Sequence, residues 1–263
     1  TCALPICGPG CFYPRLLRTQ ADPNPRTKFL MSDIQLPQGV PAYQAGTADA
    51  PRALVVIQEA FGVNSHIKDV AERFAREGFD VVAPYLFHRE SLEPVEYDDF
   101  PKAMGLLAAL TREGIEHDVR AAVSYLEDRG HPRESIGMVG YCMGGTVTLF
   151  SATLSIIGAA ATYYGGGVLA GRFGLPSMVE MAPSIACPWL GLYGDLDKGI
   201  PVEQVEALRE AAAQSSSPTH IVRYADADHG FHCDNRTAVF NADAASDAYR
   251  RTLDFFAENL RAR

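Results

Sequence analysis

The chain has 263 residues, of which 47% are hydrophobic and 21% are charged, and its formal net charge is −9. This composition is typical of a globular protein and excludes a disordered one. Nucleic acids and anionic membranes bind basic surfaces, so the acidic balance argues against both as partners, and no apolar run approaches the roughly 20 residues of a membrane-spanning helix.

Residues 1–30 differ in composition from the rest of the chain. They hold three of the six cysteines and four basic residues against one acid, without the apolar core of a secretory signal. We therefore expect residues 1–30 to be a leader outside the core, with a targeting role left open, and residues 31–263 to form one domain. The other three cysteines lack the spacing of metal ligands or of a disulfide framework, which favours a reducing compartment and hence the cytoplasm.

The first predicted unit is a strand, a helix and a second strand. Residues 53–58 form a continuous apolar run of strand length, which is typical of a parallel strand covered on both faces. Asn64 is placed to cap a helix in which apolar residues recur at helical spacing, and Gly78 ends that helix. Residues 79–83 are the second strand.

Strands and helices alternate in the rest of the chain as well. A polar, proline-interrupted stretch, 86–100, comes first, and a Gly/Pro-rich segment, 164–188, is long enough to form a rim or lid over a site. The alternation predicts an α/β fold with a single doubly wound, mostly parallel sheet and helices on both faces. The chemistry of such sheets gathers at the carboxyl ends of the strands. The further predicted strands are 135–141, 157–163, 189–193 and 221–224, and the further helices are 115–126, 146–152, 202–213 and 242–260.

The strongest functional signal is a cysteine between two glycines at the end of a predicted strand. Gly140, Cys142 and Gly144 have the spacing of a nucleophile elbow, a strained turn whose flanking positions must lack side chains. Such a turn presents the sulfur at the amino end of a helix, where the helix dipole favours the thiolate. A buried packing cysteine is the alternative, but the glycines and the preceding strand favour a nucleophile.

Two later strand ends supply the partners that a cysteine nucleophile needs. His229 follows the last predicted strand and would take the thiol proton, while Asp197 follows the strand before it and would orient the imidazole. The order nucleophile, acid, histidine is that of α/β-hydrolases. His232 is the nearest rival of His229, and Asp195 is the rival of Asp197.

An oxyanion hole requires two backbone N–H groups that point at one position. Met143, directly after the nucleophile, supplies the first, and Ala60, after an earlier strand, is the natural second donor. Beside it, Glu59 would keep the thiol protonated if it were buried near Cys142; a solvated loop acid is the alternative. Aromatic side chains near these strand ends could line the site or belong to the core, namely Phe61, Phe87, Tyr163, Tyr164 and Phe231.

Five segments, taken in order, resemble the dienelactone hydrolase family over about residues 33–260. The resemblance implies an α/β-hydrolase fold, no metal or cofactor, and hydrolysis of a lactone or activated ester through an acyl-cysteine intermediate. The catalytic roles would fall to Cys142, Asp197 and His229. The segments are Gln58-Glu59-Ala60-Phe61-Gly62-Val63-Asn64, Gly140-Tyr141-Cys142-Met143-Gly144-Gly145, Tyr163-Tyr164-Gly165, the stretch 197–201, and His229-Gly230-Phe231.

The resemblance also implies roles outside the triad. Glu59 would hold the resting thiol and move when substrate binds, and Arg89 would bind the substrate carboxylate. One position departs from the family pattern, because Cys233 stands where a second arginine is expected, four residues after the histidine. Arg236, three residues further on, is a candidate substitute, so the anionic substrate and the partner of Glu59 stay open.

The chemistry of a thiol narrows the substrate. A thiolate that has added to an ester carbonyl is expelled again unless the other group leaves readily, which favours enol lactones, aryl esters and thioesters over alkyl esters and amides. A small-molecule lactone or ester is therefore the expected substrate. We expect the protein itself to be a monomer or a small homo-oligomer. The alternatives are a broad carboxylesterase or thioesterase, and a thiol redox sensor or binding protein in which Cys187 or Cys233 resolves Cys142.

Overall fold

A computed structural model describes residues 30–263. These residues form an eight-stranded sheet with the order β1-β2-β4-β3-β5-β6-β7-β8. The β1–β2 and β2–β4 pairs are antiparallel and all other pairs are parallel. The strands are β1 (Leu30–Gln35), β2 (Pro41–Gly46), β3 (Arg52–Ile57), β4 (Phe79–Pro84), β5 (Ile136–Tyr141), β6 (Ala159–Tyr163), β7 (Trp189–Gly194) and β8 (Thr219–Tyr224).

Helices cover both faces of this sheet. Buried residues of α1 and α7 belong to the core on one face, and buried residues of α3, α4 and α6 belong to the core on the other. The predicted doubly wound, mostly parallel sheet is thus confirmed. The helices are α1 (Ser65–Arg76), α2 (Phe100–Ala109), α3 (Arg112–Asp128), α4 (Met143–Ala152), the single turn α5 (Met178–Met181), α6 (Val202–Ala212) and α7 (Ala242–Asn259).

The central strand β3 shows why continuous apolar runs mark buried strands. Val55 and Ile57 pack into the core beneath α3 and α4, while the alternate residues Leu54 and Val56 pack into the core beneath α1 and α7. Because successive side chains of a strand point to opposite faces, a strand covered on both sides must be apolar at every position.

The first predicted helix has the ends that its sequence indicates. The Asn64 side chain accepts a hydrogen bond from the N–H of Ile67 at 3.1 Å, as a helix cap does. Gly78, just past the helix, has a φ of +90°, a conformation that costs glycine little. The helix follows the loop after β3, and β4 begins at the residue after Gly78.

Four elements were not predicted, namely β1, β2, α2 and the single turn α5. In β1 most side chains are exposed, so the strand has no apolar run. In α2, Pro101 lies in the first turn, where its missing N–H costs no hydrogen bond, so this proline does not interrupt the helix. The Asp99 side chain caps α2 by accepting the N–H of Lys102 at 3.1 Å.

The predicted leader falls outside the described residues except for Leu30, which begins β1. Within 30–263, none of the helices combines the length and the apolar character needed to cross a bilayer.

Candidate active site

The turn between β5 and α4 places Cys142 at the carboxyl edge of the sheet. Cys142 has a φ of 54° and a ψ of −117°, which is a strained conformation for a residue with a side chain. Its thiol is partly exposed, and the N–H groups of the first turn of α4 follow it directly. A helix N-terminus of this kind stabilises negative charge on the sulfur.

The glycines on either side of Cys142 are required by close backbone packing. A Cβ atom at Gly140 would lie 2.1 Å from the carbonyl oxygen of Gly144. A Cβ atom at Gly144 would lie 2.5 Å from the carbonyl oxygens of both Ile57 and Gln58, at the end of β3. These distances are far below van der Waals contact, so the elbow exists only because both positions lack a side chain.

The imidazole of His229 is held by the carboxylate of Asp197. His229 Nδ1 lies 2.7 Å from Asp197 Oδ2, and Asp197 Oδ1 accepts the backbone N–H groups of Gly199 at 2.8 Å and Ile200 at 3.1 Å. Asp197 is buried, so its orientation is set by these three hydrogen bonds. The arrangement makes Nδ1 a donor and leaves Nε2 available to the thiol of Cys142, which lines the same cavity.

The charge state of His229 depends on both neighbours. Burial disfavours the imidazolium, but the adjacent Cys142 sulfur and the hydrogen bond to Asp197 outweigh it and raise the pKa of His229 well above its ordinary value of 6.5. Because the pKa is raised in the folded state, protonated His229 stabilises the fold fully below about pH 6.5. This contribution is lost as the pH rises through the raised pKa.

Replacing Asp197 with asparagine is expected to lower the pKa of His229 and to reduce kcat by about 10³- to 10⁴-fold, because the amide neither stabilises the imidazolium nor selects the same tautomer. The pKa is measured from the NMR shifts of the imidazole during a pH titration, and kcat with an aryl ester. Asp195→Asn is the matched control and should leave both unchanged. An unshifted His229 titration in Asp197→Asn would contradict the assignment.

The structure separates the predicted residues from their rivals. Asp195 accepts paired hydrogen bonds from Arg223, at 2.7 and 2.8 Å, so both of its carboxylate oxygens are already engaged. His232 is buried among tyrosines, and burial lowers its pKa to about 3, so it stays neutral. Asp228 accepts the N–H of His229 at 2.6 Å and so stabilises the turn.

A cavity of about 430 Å³ opens over Cys142, His229 and Asp197. The unpredicted helix α2 contributes Phe100 and Leu107 to its wall. Part of the predicted rim lies there as well, because residues of the Gly/Pro-rich segment line the cavity. The remaining lining residues are Met143, Thr146, Gly166, Arg172, Phe173, Lys198, Gly199, Ile200, Asp228 and Arg236.

Three cationic side chains, Arg172, Lys198 and Arg236, line this cavity, and among residues 30–263 none of them pairs with a carboxylate. The guanidinium of Arg236 lies 5.7 Å from the ring centre of Phe61 and 5.8 Å from that of Tyr97. Of these three cations, only Arg236 was predicted from the sequence. The other two could have been recognised from their positions, because Lys198 is adjacent to Asp197 and Arg172 lies in the predicted rim.

Arg89 does not line this cavity, so the structure does not place it for the predicted contact with substrate there. Its guanidinium forms two hydrogen bonds of 2.8 Å with Asp118, a buried carboxylate of α3, and it lines a separate small crevice. A buried carboxylate needs a charged partner, and Arg89 supplies it.

Two aromatic side chains predicted to bind substrate also lie outside the cavity wall. Tyr163 is fully buried on the α7 side of the sheet, where its hydroxyl lies 2.7 Å from that of Thr252. Phe61 packs with Val95 and Ala103, and its ring supports Arg236 from behind. Proximity to a strand end does not by itself tell whether a side chain faces the cavity or the core, and both of these face the core.

Glu59 is buried but does not hold the Cys142 thiol. Its Oε1 accepts the hydroxyl of Tyr164 at 3.1 Å, and its Oε2 has no hydrogen-bond partner among residues 30–263. The ring of Tyr164 lies 5.0 Å from that of His229, centre to centre, so the tyrosine stands between the carboxylate and the imidazole. The Cys233 sulfur lies within 4.8 Å of a carboxylate oxygen of Glu59.

The two predicted oxyanion donors border the same turn. The pairing of β3 with β5 sets Ile57 opposite Gly140, so the loop that carries Ala60 begins beside the elbow. Met143 is the first residue of α4, and the N–H groups in the first turn of a helix have no acceptor within that helix. Within the described range, neither the Ala60 nor the Met143 N–H donates to a backbone carbonyl.

The sheet topology, with a thiol on a strand–turn–helix elbow and a histidine and an acid on later strand ends, defines an α/β-hydrolase. The sequence profile of the dienelactone hydrolase family matches residues 40–260. The chain belongs to this family, and with it to the carboxylic ester hydrolases.

Individual relatives agree with the family assignment. A protein of Escherichia coli O157:H7 provisionally named carboxymethylenebutenolidase is 36% identical over 225 residues, which cover 82% of each chain. The carboxymethylenebutenolidase of Pseudomonas putida is 28% identical over 215 residues, covering 80% of this chain and 87% of the relative. A crystal structure of a provisionally named dienelactone hydrolase from Klebsiella pneumoniae has a TM-score of 0.81 and 33% identity, covering 88% of this chain and 99% of that one.

Proposed function

We propose that this protein hydrolyses lactones or activated esters of small carboxylic acids through a covalent acyl intermediate on Cys142. The observation that carries the proposal is that the elbow thiol shares one cavity with the hydrogen-bonded pair of His229 and Asp197. Membership of the dienelactone hydrolase family, and relatives named carboxymethylenebutenolidase, support the same substrate class.

The proposed reaction has two halves. The Cys142 thiolate adds to the substrate carbonyl carbon, the N–H groups of Met143 and Ala60 stabilise the oxyanion, and the alcohol or enol oxygen leaves with a proton from His229. A water molecule then gives a proton to His229 and adds to the thioester, which releases the carboxylic acid and restores Cys142. Asp197 stabilises the imidazolium, which is present until the leaving group takes its proton and forms again when water gives up a proton.

The cations in the cavity favour a substrate that carries a carboxylate or another anionic group. Arg236 is held on two aromatic rings and has its guanidinium free of acidic partners among the described residues, so it is preorganised to pair with an anion. Arg172 and Lys198 add positive charge nearby. An anionic enol lactone, whose ring oxygen leaves readily, meets both requirements.

A substrate panel tests the proposal. We expect kcat/KM to fall in the order anionic dienelactone, neutral aryl ester or thioester, simple alkyl ester, because leaving-group quality decides whether the tetrahedral intermediate goes forward. Mass spectrometry during turnover of an aryl ester should show an acyl group on Cys142. An alkyl ester hydrolysed faster than its aryl analogue, or an acyl group absent from Cys142 throughout turnover, would refute the covalent route.

Replacing Arg236 with glutamine is expected to raise KM for an anionic ester by about 10- to 100-fold and to leave KM for a neutral aryl ester unchanged, since a charge-assisted hydrogen bond is lost only with the anion. Arg89→Gln is the control and should change neither KM, although it should destabilise the fold by leaving Asp118 less well paired. Equal effects of Arg236→Gln on both substrates would show that this arginine does not read substrate charge.

A further inference from the structure

Three side chains of metal-binding type converge behind the catalytic cavity. Glu59 follows β3, His66 lies in α1, and Cys233 follows the loop that carries His229. All three are buried, and one ligand atom from each lies within 4.8 Å of the other two. A carboxylate oxygen, an imidazole nitrogen and a thiol sulfur are the donors that zinc takes in proteins.

Two of these side chains carry polar atoms that the surrounding protein leaves unsatisfied. Glu59 Oε2 and His66 Nε2 are both buried, and within residues 30–263 neither has a hydrogen-bond partner. Buried polar atoms without partners are rare in folded proteins because each costs free energy, and a buried carboxylate costs most. Both orphaned atoms belong to residues of the same cluster, so one ion bound there would satisfy them together.

The imidazole of His66 is already oriented as a metal ligand requires. Its Nδ1 lies 3.2 Å from Asp234 Oδ1, and Asp234 is itself paired with Arg73. A carboxylate at Nδ1 makes that nitrogen the proton donor and leaves the lone pair on Nε2, the unsatisfied atom. Histidine ligands of metals commonly have this second partner, which fixes the tautomer and the ring.

We propose that Glu59, His66 and Cys233 form a binding site for a divalent transition-metal ion, with Zn²⁺ as the ion that the donor set favours. Calcium and magnesium prefer all-oxygen sites and would not use the thiolate or the imidazole. Bonds of about 2.0 to 2.3 Å to a tetrahedral ion set ligand atoms about 3.3 to 3.8 Å apart, so a small inward movement of the side chains completes the site.

Charge balance supports a buried dication here. Zn²⁺ with one carboxylate, one thiolate and one neutral imidazole has no net charge, so the ion compensates the Glu59 carboxylate that otherwise lacks a cationic partner among the described residues. On binding, the Cys233 thiol releases its proton to solvent and a sulfur–metal bond forms, without any redox step. A water molecule takes the fourth position.

The proposed ion would join three parts of the chain that meet only in the fold. It would tie the loop after β3, which carries Ala60, to α1 and to the segment four residues beyond His229. Its expected effect is therefore on stability and on the position of the His229 loop, and the site stands whether or not the protein hydrolyses esters.

The test is metal content. The full chain without an affinity tag is expressed in medium supplemented with Zn²⁺, purified without metal resin and measured by inductively coupled plasma mass spectrometry. We expect one Zn²⁺ per chain, and after expression with Co²⁺ we expect the charge-transfer absorption of a cobalt–thiolate bond. Cys233→Ser and His66→Gln should each lose the metal. Cys187→Ser, which changes another buried cysteine, is the matched control and should retain it.

Thermal unfolding provides a second measurement that does not depend on purification. Added EDTA should lower the Tm of the metal-loaded protein and leave the Tm of folded Cys233→Ser unchanged, because only the metal-binding form is stabilised by the ion. Less than about 0.2 metal per chain, full retention by Cys233→Ser, or bound cobalt without a thiolate band would each overturn the proposal. Retention by Cys233→Ser would assign the metal to other ligands, such as Cys2, Cys7 and Cys11.

Discussion

Replacing Cys142 with alanine is expected to reduce kcat/KM for an aryl ester by at least about 10⁴-fold, with a change of less than about 1 kcal/mol in the free energy of unfolding. The sulfur is the atom that bonds to the acyl group, so the remaining residues are left with only the oxyanion donors and the binding cavity. Alanine fills slightly less space than cysteine at a partly exposed position and keeps the same backbone conformation. Ester hydrolysis and urea denaturation, measured on the same preparation, test the expected loss of activity and the expected small change in the free energy of unfolding.

Cys187→Ala is the matched control for Cys142→Ala. Cys187 is buried away from the cavity, and burial raises the pKa of its thiol to about 12, so it is neither nucleophilic nor placed near substrate. Activity should survive this change. Alkylation of the wild-type protein with one equivalent of iodoacetamide should abolish hydrolysis and modify Cys142, as located by peptide mass spectrometry. Appreciable turnover by Cys142→Ala would end the proposed mechanism.

Replacing Gly144 with alanine is expected to destabilise the fold by more than about 4 kcal/mol, or to prevent soluble expression, because the added Cβ would lie 2.5 Å from two backbone carbonyl oxygens of β3 and its loop. Neither β3 nor α4 has room to move, since both are buried in the sheet and its covering layers. Activity should be lost together with stability, because a shift of α4 moves both Cys142 and the Met143 N–H.

Gly105 serves as a control, because replacing it with alanine is expected to stabilise the protein rather than destabilise it. Gly105 is exposed in the middle of α2, and a Cβ there would meet no atom within 4 Å. Gly105→Ala should stabilise the protein by about 0.5 to 1 kcal/mol through higher helix propensity. Chemical denaturation of both variants measures the difference. A Gly144→Ala protein as stable as the wild type would show that the elbow is not packed as described.

Elements whose signal is local were predicted well. The buried parallel strands appear as apolar runs because each is covered on both faces, and α1 carries its own cap in Asn64. Elements stabilised by distant contacts were missed. β1 is an exposed edge strand that depends on β2 for its hydrogen bonds, and α2 resembles a loop because Pro101 and the preceding acidic stretch hide its first turn.

The residues of the candidate active site also fall into those that local sequence predicts and those that depend on distant contacts. Gly140, Cys142 and Gly144 were recognisable because they stand within five consecutive residues, although the atoms that exclude a Cβ at Gly144 belong to the end of β3. Substrate residues were predicted less well, since Arg89 follows a strand as expected but turns to Asp118, 29 residues further along the chain. No spacing rule connects those two positions, because their contact depends on how α3 packs on the sheet.

The sequence by itself determined the α/β class of the protein, the position of its elbow and the family to which it belongs, since apolar runs and the spacing of the two glycines can be recognised in short stretches of consecutive residues. Only the tertiary structure decided which cations face the cavity and which buried groups meet. Glu59, His66 and Cys233 illustrate the reason, because their spacing along the chain resembles no metal motif and they come together only when β3, α1 and the segment after His229 pack against one another.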